Sequence, residues 1–167
     1  MEIRRGGAAD APIMLAMLDG AVAWLAARGR TGQWGDRPWS DDPRRVERIT
    51  EIARGDEIWV AEVRGRPSGV MALSPEPMHY VAPADEPELY IKLLVTDRAF
   101  AGRGVGRALI GKAADEARAR GVELLRVDCY GGGDGRLVDY YRRNGFEAVA
   151  EFTVGDWPGR LLARRLG

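Results

Sequence analysis

Residues Ala101-Gly102-Arg103-Gly104-Val105-Gly106-Arg107-Ala108-Leu109-Ile110 lie between an apolar segment, Leu89 to Val95, and an amphipathic repeat. This spacing predicts a strand that runs through a glycine loop into a helix. Closely spaced glycines let the backbone turn sharply and approach a ligand. The first amides of the following helix have no acceptor within the helix, and with the helix dipole behind them they favour an anion. Gly102, Gly104 and Gly106 alternate, so no side chain blocks that approach, and Arg103 and Arg107 add positive charge. The segment reads as a cradle for a pyrophosphate. Taken alone, a Gly-x-Gly also serves simply to shape a strand-to-helix turn.

Two other glycine patterns are excluded. The dinucleotide fingerprint needs a third glycine three residues after its second, and neither register of this loop supplies one. Gly106 to Lys112 has the spacing G-x-x-x-x-G-K, but Ala113 follows where a magnesium-binding hydroxyl is required, and Gly111-Lys112 falls inside the helical repeat.

Further on, Leu137-Val138-Asp139-Tyr140-Tyr141-Arg142-Arg143-Asn144-Gly145-Phe146 reads as a short helix closed by glycine, with an apolar strand beginning at Phe146. The two motifs together resemble the GNAT superfamily of N-acetyltransferases, whose acetyl-CoA loop reads Gln/Arg-x-x-Gly-x-Gly/Ala and whose late helix carries a Tyr four residues before Gly-Phe. The resemblance extends from the opening strand at Ile3-Arg4 to the last strand. It departs at Ala101, where the family usually has Gln or Arg, and at Asp134, near where relatives often place an Asn that contacts the cofactor. Because pyrophosphate contacts in such loops are largely backbone amides, the expected effect at Ala101 is weaker cofactor affinity.

The resemblance implies an α/β fold in one domain, residues 1–167. That fold is a mixed, mostly antiparallel sheet of six to seven strands flanked by about four helices, with a splayed parallel pair of central strands. It implies acetyl-CoA held by the main chain of Leu94, Val95 and Thr96 and by the loop Gly102, Arg103, Gly104, Val105, Gly106 and Arg107. It also implies transfer of the acetyl group by direct attack of an amine on the thioester. That chemistry requires a neutral amine, stabilisation of the developing oxyanion and protonation of the departing thiolate. A backbone N–H near Val95 suits the oxyanion. Tyr141 matches the family Tyr and is the expected general acid, with Tyr140 its neighbour and competitor. Glu88, just before the central strand, is the candidate base, and His79, the only histidine, is the second. Both residues also suit a plain solvated surface role. Cys129 permits a rival cysteine-intermediate mechanism, though a small buried filler is its ordinary part. A relative that binds acyl-CoA as a sensor without turnover is the alternative function.

Composition bounds the remaining possibilities. The chain has 167 residues, 46% of them hydrophobic, enough for one core without cross-links. Its 25 basic and 25 acidic residues cancel, which leaves no global field for nucleic acid or an anionic membrane. One cysteine rules out an internal disulfide, and one His with one Cys makes no credible metal site. No signal-peptide core and no bilayer-length apolar run are evident, so a cytoplasmic protein is expected. A homodimer is compatible with the family.

Working outward, Ile3-Arg4-Arg5 reads as a strand and Asp10 as the cap of a helix with apolar Ile13, Met14, Met17, Leu18, Val22 and Leu25, stopped by Gly29. Residues 30 to 42 read as a loop, Pro43 to Arg54 as a helix, and Ile58 to Val63 with Ser68 to Leu73 as a hairpin across Arg64-Gly65-Arg66-Pro67. Pro75, Pro77, Pro83 and Pro87 break up the stretch from Ser74 to Glu88, which reads as lid-like. Then come strand Leu89 to Thr96, helix Gly104 to Arg120, strand Glu123 to Cys129, helix Gly135 to Asn144, and strands from Phe146 and Gly159. A right-handed crossover makes the strands on either side of the long helix parallel. The variable parts carry the acceptor site. Trp34 and Trp39 are candidates to wall it and Asp36, Asp41 or Asp42 to attract a small cationic amine, while the tryptophans serve equally well as pins for a long loop.

Overall fold

The computed structural model describes residues 1–167. In chain order its elements are β1 (Glu2–Arg5), α1 (Ala11–Ala26), α2 (Pro43–Gly55), β2 (Glu57–Val63), β3 (Arg66–Ser74), β4 (Glu88–Thr96), α3 (Val105–Ala119), β5 (Leu124–Tyr130), α4 (Arg136–Arg143), β6 (Glu147–Val154) and β7 (Trp157–Arg165). The seven strands follow the order β1-β2-β3-β4-β5-β7-β6. Pairing is mostly antiparallel, with β4 and β5 parallel. This is the order and the mixed sheet that the sequence predicts, and Gly111-Lys112 sits inside α3.

The chain divides into two compact units, Met1–Leu73 with Leu93–Leu109, and Ser74–Lys92 with Ile110–Gly167. Strand β4 and helix α3 each run from one into the other.

In the first unit, Pro43 opens α2 and the Asp42 carboxylate caps it, accepting from the Arg44 N–H at 3.0 Å. The hairpin of β2 and β3 turns on only two residues, Arg64 (φ 53°) and Gly65 (φ 74°), a shorter connection than the four residues the sequence suggests. Two positive φ values match the twist of the flanking strands, which is why the strands extend further into the turn. The core joins Met14, Leu18 and Val22 of α1 to Ile49 of α2, Ile58 and Val60 of β2, and Val70 of β3.

Asp10 does a different job from the predicted cap. It closes a short 3-10 turn, Ala8–Asp10, and accepts from the Gly7 N–H at 2.9 Å and from Arg4 Nη2 at 2.9 Å, with no capping bond to α1. The Arg4 hydrogen bond, against the opposing effect of burial, holds the Asp10 carboxyl below its ordinary range. A lowered folded pKa contributes stability above the unfolded value of about 3.9, and that stability is lost as pH falls through the folded value. Asp10→Asn is therefore expected to lower stability by about 1 kcal/mol at pH 7, a figure kept small by the solvent exposure of Arg4. In urea titrations the difference from wild type closes as pH drops below about 4.

The run Ala8–Ala26 is, by length and composition, long and apolar enough to cross a membrane, which corrects the sequence reading that no such run exists. Its Met14, Met17, Leu18 and Val22 are core residues, and its Asp19 accepts from the N–H and hydroxyl of Ser40 at 3.1 and 2.6 Å.

In the second unit β5 is flanked by β4, in parallel from Glu88↔Leu124 to Ile91↔Val127, and by β7, in antiparallel from Leu124↔Arg165 to Tyr130↔Gly159. Strand β6 completes a hairpin with β7, bulged between Ala148 and Ala150.

Candidate functional site

In the first unit β4 ends at Thr96, and the Asp97 N–H donates to the Ser68 carbonyl at 2.9 Å. Val95 is buried in the core, whereas Leu94 and Thr96 are half-buried. The loop beyond turns on Gly102 (φ 78°) and Gly104 (φ 73°), backbone conformations that favour glycine. A Cβ at either position would meet nothing within 4 Å, so both face open space. The Ala108 N–H is the first to close a turn of α3, on the Gly104 carbonyl at 3.0 Å, which leaves the amides of Val105, Gly106 and Arg107 without an acceptor in the helix. Arg103 and Arg107 are exposed beside them, with the Arg103 guanidinium 5.7 Å from the Phe100 ring. A loop with this opening, free amides and flanking cations fits a diphosphate.

One contributor escaped the sequence reading. A Cβ on Gly69 of β3 would stand 2.6 Å from Val105 Cγ1 and 3.0 Å from Leu109 Cδ1. The missing side chain lets α3 press its first turn onto the sheet. An isolated glycine inside a strand hints at such a close approach but does not name its partner.

The tryptophan loop is an anchor. Trp39 is buried in the core of the first unit, its Nε1–H donates to the Trp34 carbonyl at 3.2 Å, and Arg45 covers its ring at 4.7 Å. Trp34 packs edge-on against it, centroids 6.4 Å apart. The expectation that Trp34 and Trp39 wall an acceptor cavity gives way to pinning of residues 30 to 42. Asp42 caps α2, while Asp36 and Asp41 are exposed.

The second unit holds the remaining candidates. Glu88 is buried and both of its carboxylate oxygens are hydrogen-bonded. Arg126 Nε and Nη2 donate to Oε1 and Oε2 at 2.7 and 2.8 Å, and the Ala84 N–H donates to Oε2 at 2.9 Å. Arg126 Nη2 also reaches the Ala82 carbonyl at 3.0 Å. The pair ties the proline-rich segment to the sheet. These three bonds leave the carboxylate one of its roughly four lone-pair positions, inside a buried ion pair, so the geometry favours a structural role for Glu88 over the reading of it as base. His79 is exposed and edge-on to Tyr80, centroids 5.2 Å apart. Burial, and then Asp128, push the Cys129 thiol up to about 12, which leaves it protonated and unsuited to nucleophilic attack. Asp134 folds back onto Arg136, accepting from its Nε at 2.6 Å.

Tyr141 is buried on α4. Its place is fixed by the end of the helix. Gly145 (φ 90°) lets the Phe146 N–H donate to the Tyr141 carbonyl at 3.1 Å and the Gly145 N–H to the Arg142 carbonyl at 3.0 Å. That is a Schellman closure, with the Tyr141 and Phe146 rings in its hydrophobic contact at 5.7 Å. Burial first, then Cys129, Tyr140 and Asp128, raise the Tyr141 phenol far above its ordinary value. It therefore keeps its proton throughout the neutral range, and the same burial opposes formation of the phenolate. Tyr140, half-buried, is also raised by burial, with Arg143 opposing.

Comparison with known proteins places these features in context. Residues 21–146 match the family model described as the acetyltransferase (GNAT) family. An uncharacterised N-acetyltransferase of Methanocaldococcus jannaschii is 33% identical over 94 residues, 55% of this chain and 39% of that protein, so the match spans about two-fifths of the relative's length. An uncharacterised N-acetyltransferase of Bacillus subtilis is 26% identical over 151 residues, 87% of this chain and 81% of that protein. Among solved structures, the ribosomal-protein-alanine N-acetyltransferase of Brucella melitensis superposes with a TM-score of 0.67 at 22% identity, covering 99% of this chain and 100% of that one. A putative acetyltransferase of Salmonella typhimurium, solved with its cofactor acetyl-CoA, gives 0.64 at 20% identity, covering 99% and 94%.

Proposed function

The chain belongs to the acetyltransferase (GNAT) family, and on that premise we propose that it is an acetyl-CoA-dependent N-acetyltransferase that passes the acetyl group directly to a primary amine, a small-molecule amine in preference to a peptide. One observation carries the reading: Gly102 and Gly104 open the loop ahead of α3 and leave its first amides free. The Arg103 N–H is already donated to the Phe100 carbonyl at 3.3 Å, so of the loop Gly102 to Arg107 the amides of Val105, Gly106 and Arg107 hold the diphosphate, with the Arg103 and Arg107 side chains adding charge. The main chain of Leu94, Val95 and Thr96 meets the amides of the pantetheine arm, and Tyr141 holds at its Oη the proton that the departing thiolate requires. Acetyl-CoA supplies the activated acyl group. Residues 1–167 act as one domain, a reading supported by the two elements that run unbroken through both units. The buried single thiol suits a cytoplasmic setting.

Calorimetry with acetyl-CoA tests the proposal. Wild-type protein is expected to bind, and Gly104→Val, which strains the loop and fills its open side, to bind at least about tenfold more weakly, equivalent to about 1.4 kcal/mol. Absence of heat with wild-type protein overturns the reading.

A further inference from the structure

Asp128 is the first residue of β5 beyond the parallel register with β4, which ends at Ile91↔Val127. Its Oδ2 is shut away from solvent and makes no well-formed hydrogen bond, and the same holds for the hydroxyl of Tyr90, while the phenols of Tyr80 and Tyr90 are the polar groups that face the carboxylate. A buried carboxylate met only by phenols, with no cation paired to it, is costly, and its retention calls for a positive charge that arrives with the ligand. The nearby cations are committed elsewhere, Arg126 to Glu88 at 2.7 Å and Arg160 to Glu151 at 2.8 Å. The titratable and charged groups around Asp128 are Tyr80 from the proline-rich segment, Tyr90 of β4, Arg126 and Cys129 of β5, Arg160 of β7 and Tyr141 of α4. Burial dominates and raises the Asp128 carboxyl, while hydrogen bonding by the phenols of Tyr80 and Tyr90 opposes it.

Beside this carboxylate lies an apolar wall. The Tyr80 ring stacks on Phe152, centroids 5.5 Å apart and 30° between planes. Phe152 in turn lines a cleft of about 390 Å³ with Gly131, Gly159 and the ion-paired Glu151 and Arg160. A Cβ on Gly159 would stand 2.3 Å from the Phe152 ring, so the ring lies flat on bare backbone. A space of this size holds a small organic body.

We propose that Asp128 receives the ammonium group of the acceptor and takes its proton, and that the acceptor is a primary amine whose apolar body lies along Tyr80 and Phe152. This rests on the acetyltransferase reading and names the acceptor class for it. One proton passes from the ammonium nitrogen to Asp128 Oδ2. The freed lone pair forms the C–N bond as the C–S bond breaks, and the thiolate takes the Tyr141 proton. The second proton lost from nitrogen restores the phenol, and Asp128 releases its proton to solvent as the product leaves and uncovers the carboxyl.

The test is steady-state kinetics of the full chain with acetyl-CoA and 2-phenylethylamine or spermidine from pH 6.5 to 9.5, with acetyl-CoA affinity measured alongside. For Asp128→Asn, kcat/KM at pH 7 is expected to fall about 30-fold, short of the full general-base range because neutral amine still reacts. Acetyl-CoA affinity is unchanged, and the deficit narrows toward high pH as free amine accumulates. Asp128→Glu recovers part of the rate, and Phe152→Ala raises KM for 2-phenylethylamine more than it lowers kcat. A variant within threefold of wild type, or a deficit independent of pH, overturns the role of Asp128. Wild-type protein that acetylates spermidine but not 2-phenylethylamine overturns the apolar acceptor class. Wild-type protein that binds no acetyl-CoA overturns the acetyltransferase reading and this assignment with it.

Discussion

Replacing Tyr141 by Phe is expected to lower kcat about 100-fold, the low end of what a positioned proton donor contributes, with acetyl-CoA affinity and fold intact. The substitution keeps the ring, its contact with Phe146 at 5.7 Å and its edge-on contact with Tyr140 at 5.4 Å. Only the hydroxyl is lost. Burial holds that hydroxyl protonated, so wild-type protein loses no activity through its ionisation below the alkaline range. The diagnostic is the leaving group. With an acetyl thioester of a more acidic thiol, whose thiolate needs no protonation to depart, the deficit of Tyr141→Phe shrinks toward wild type. Tyr140→Phe serves as the control and stays within about threefold, because donor catalysis depends on a single positioned proton. Unchanged turnover in Tyr141→Phe would sink the assignment.

The largest effect on stability is expected at Glu88. Glu88→Gln leaves the Arg126 guanidinium buried without its counter-charge, and breaking such a pair from one side costs about 3 to 5 kcal/mol. For a chain of this length that is a drop in Tm of roughly 6 to 20 °C. Replacing both partners at once, Glu88→Leu with Arg126→Met, removes the buried charge altogether and is expected to recover most of the loss. Thermal melts of the three proteins decide the matter, and a single variant within about 1 kcal/mol of wild type refutes the ion-pair account. Kinetics at low temperature add a second reading. The folded Glu88→Gln protein retains kcat, whereas a base at Glu88 would take kcat down with it.

The contrast between Glu88 and Asp128 shows what was legible in the chain. Periodicity, glycines and prolines announced every strand and helix, since these signals are local. The shape of the glycine loop was equally readable because Gly102 and Gly104 set its backbone geometry by themselves. Side-chain roles were not readable, because they depend on which distant residue arrives opposite. Nothing near Glu88 in sequence indicates Arg126, 38 residues away. Asp128 left a faint sign, an acid in the otherwise apolar end of Leu124-Leu125-Arg126-Val127-Asp128-Cys129, but alternation in a strand gives its face and not its lack of a paired cation. Trp39 failed for the same reason. A loop tryptophan looks alike whether it walls a cavity or plugs a core, and only the company of Ile49, Val22 and Arg45 separates the two.

The Schellman closure at Gly145 bears on how functional screens of this protein should be interpreted. Position 145 holds no chemistry, yet any other residue there opposes the φ of 90° and brings its Cβ to 3.2 Å from Arg164 Nε. Relaxing that turn loosens the Phe146 amide from the Tyr141 carbonyl and lets the phenol drift. A saturation library scored on product formation alone would rank Gly145 among the reactive residues. A parallel score for soluble, cofactor-competent protein would expose it as the hinge pin of its neighbour.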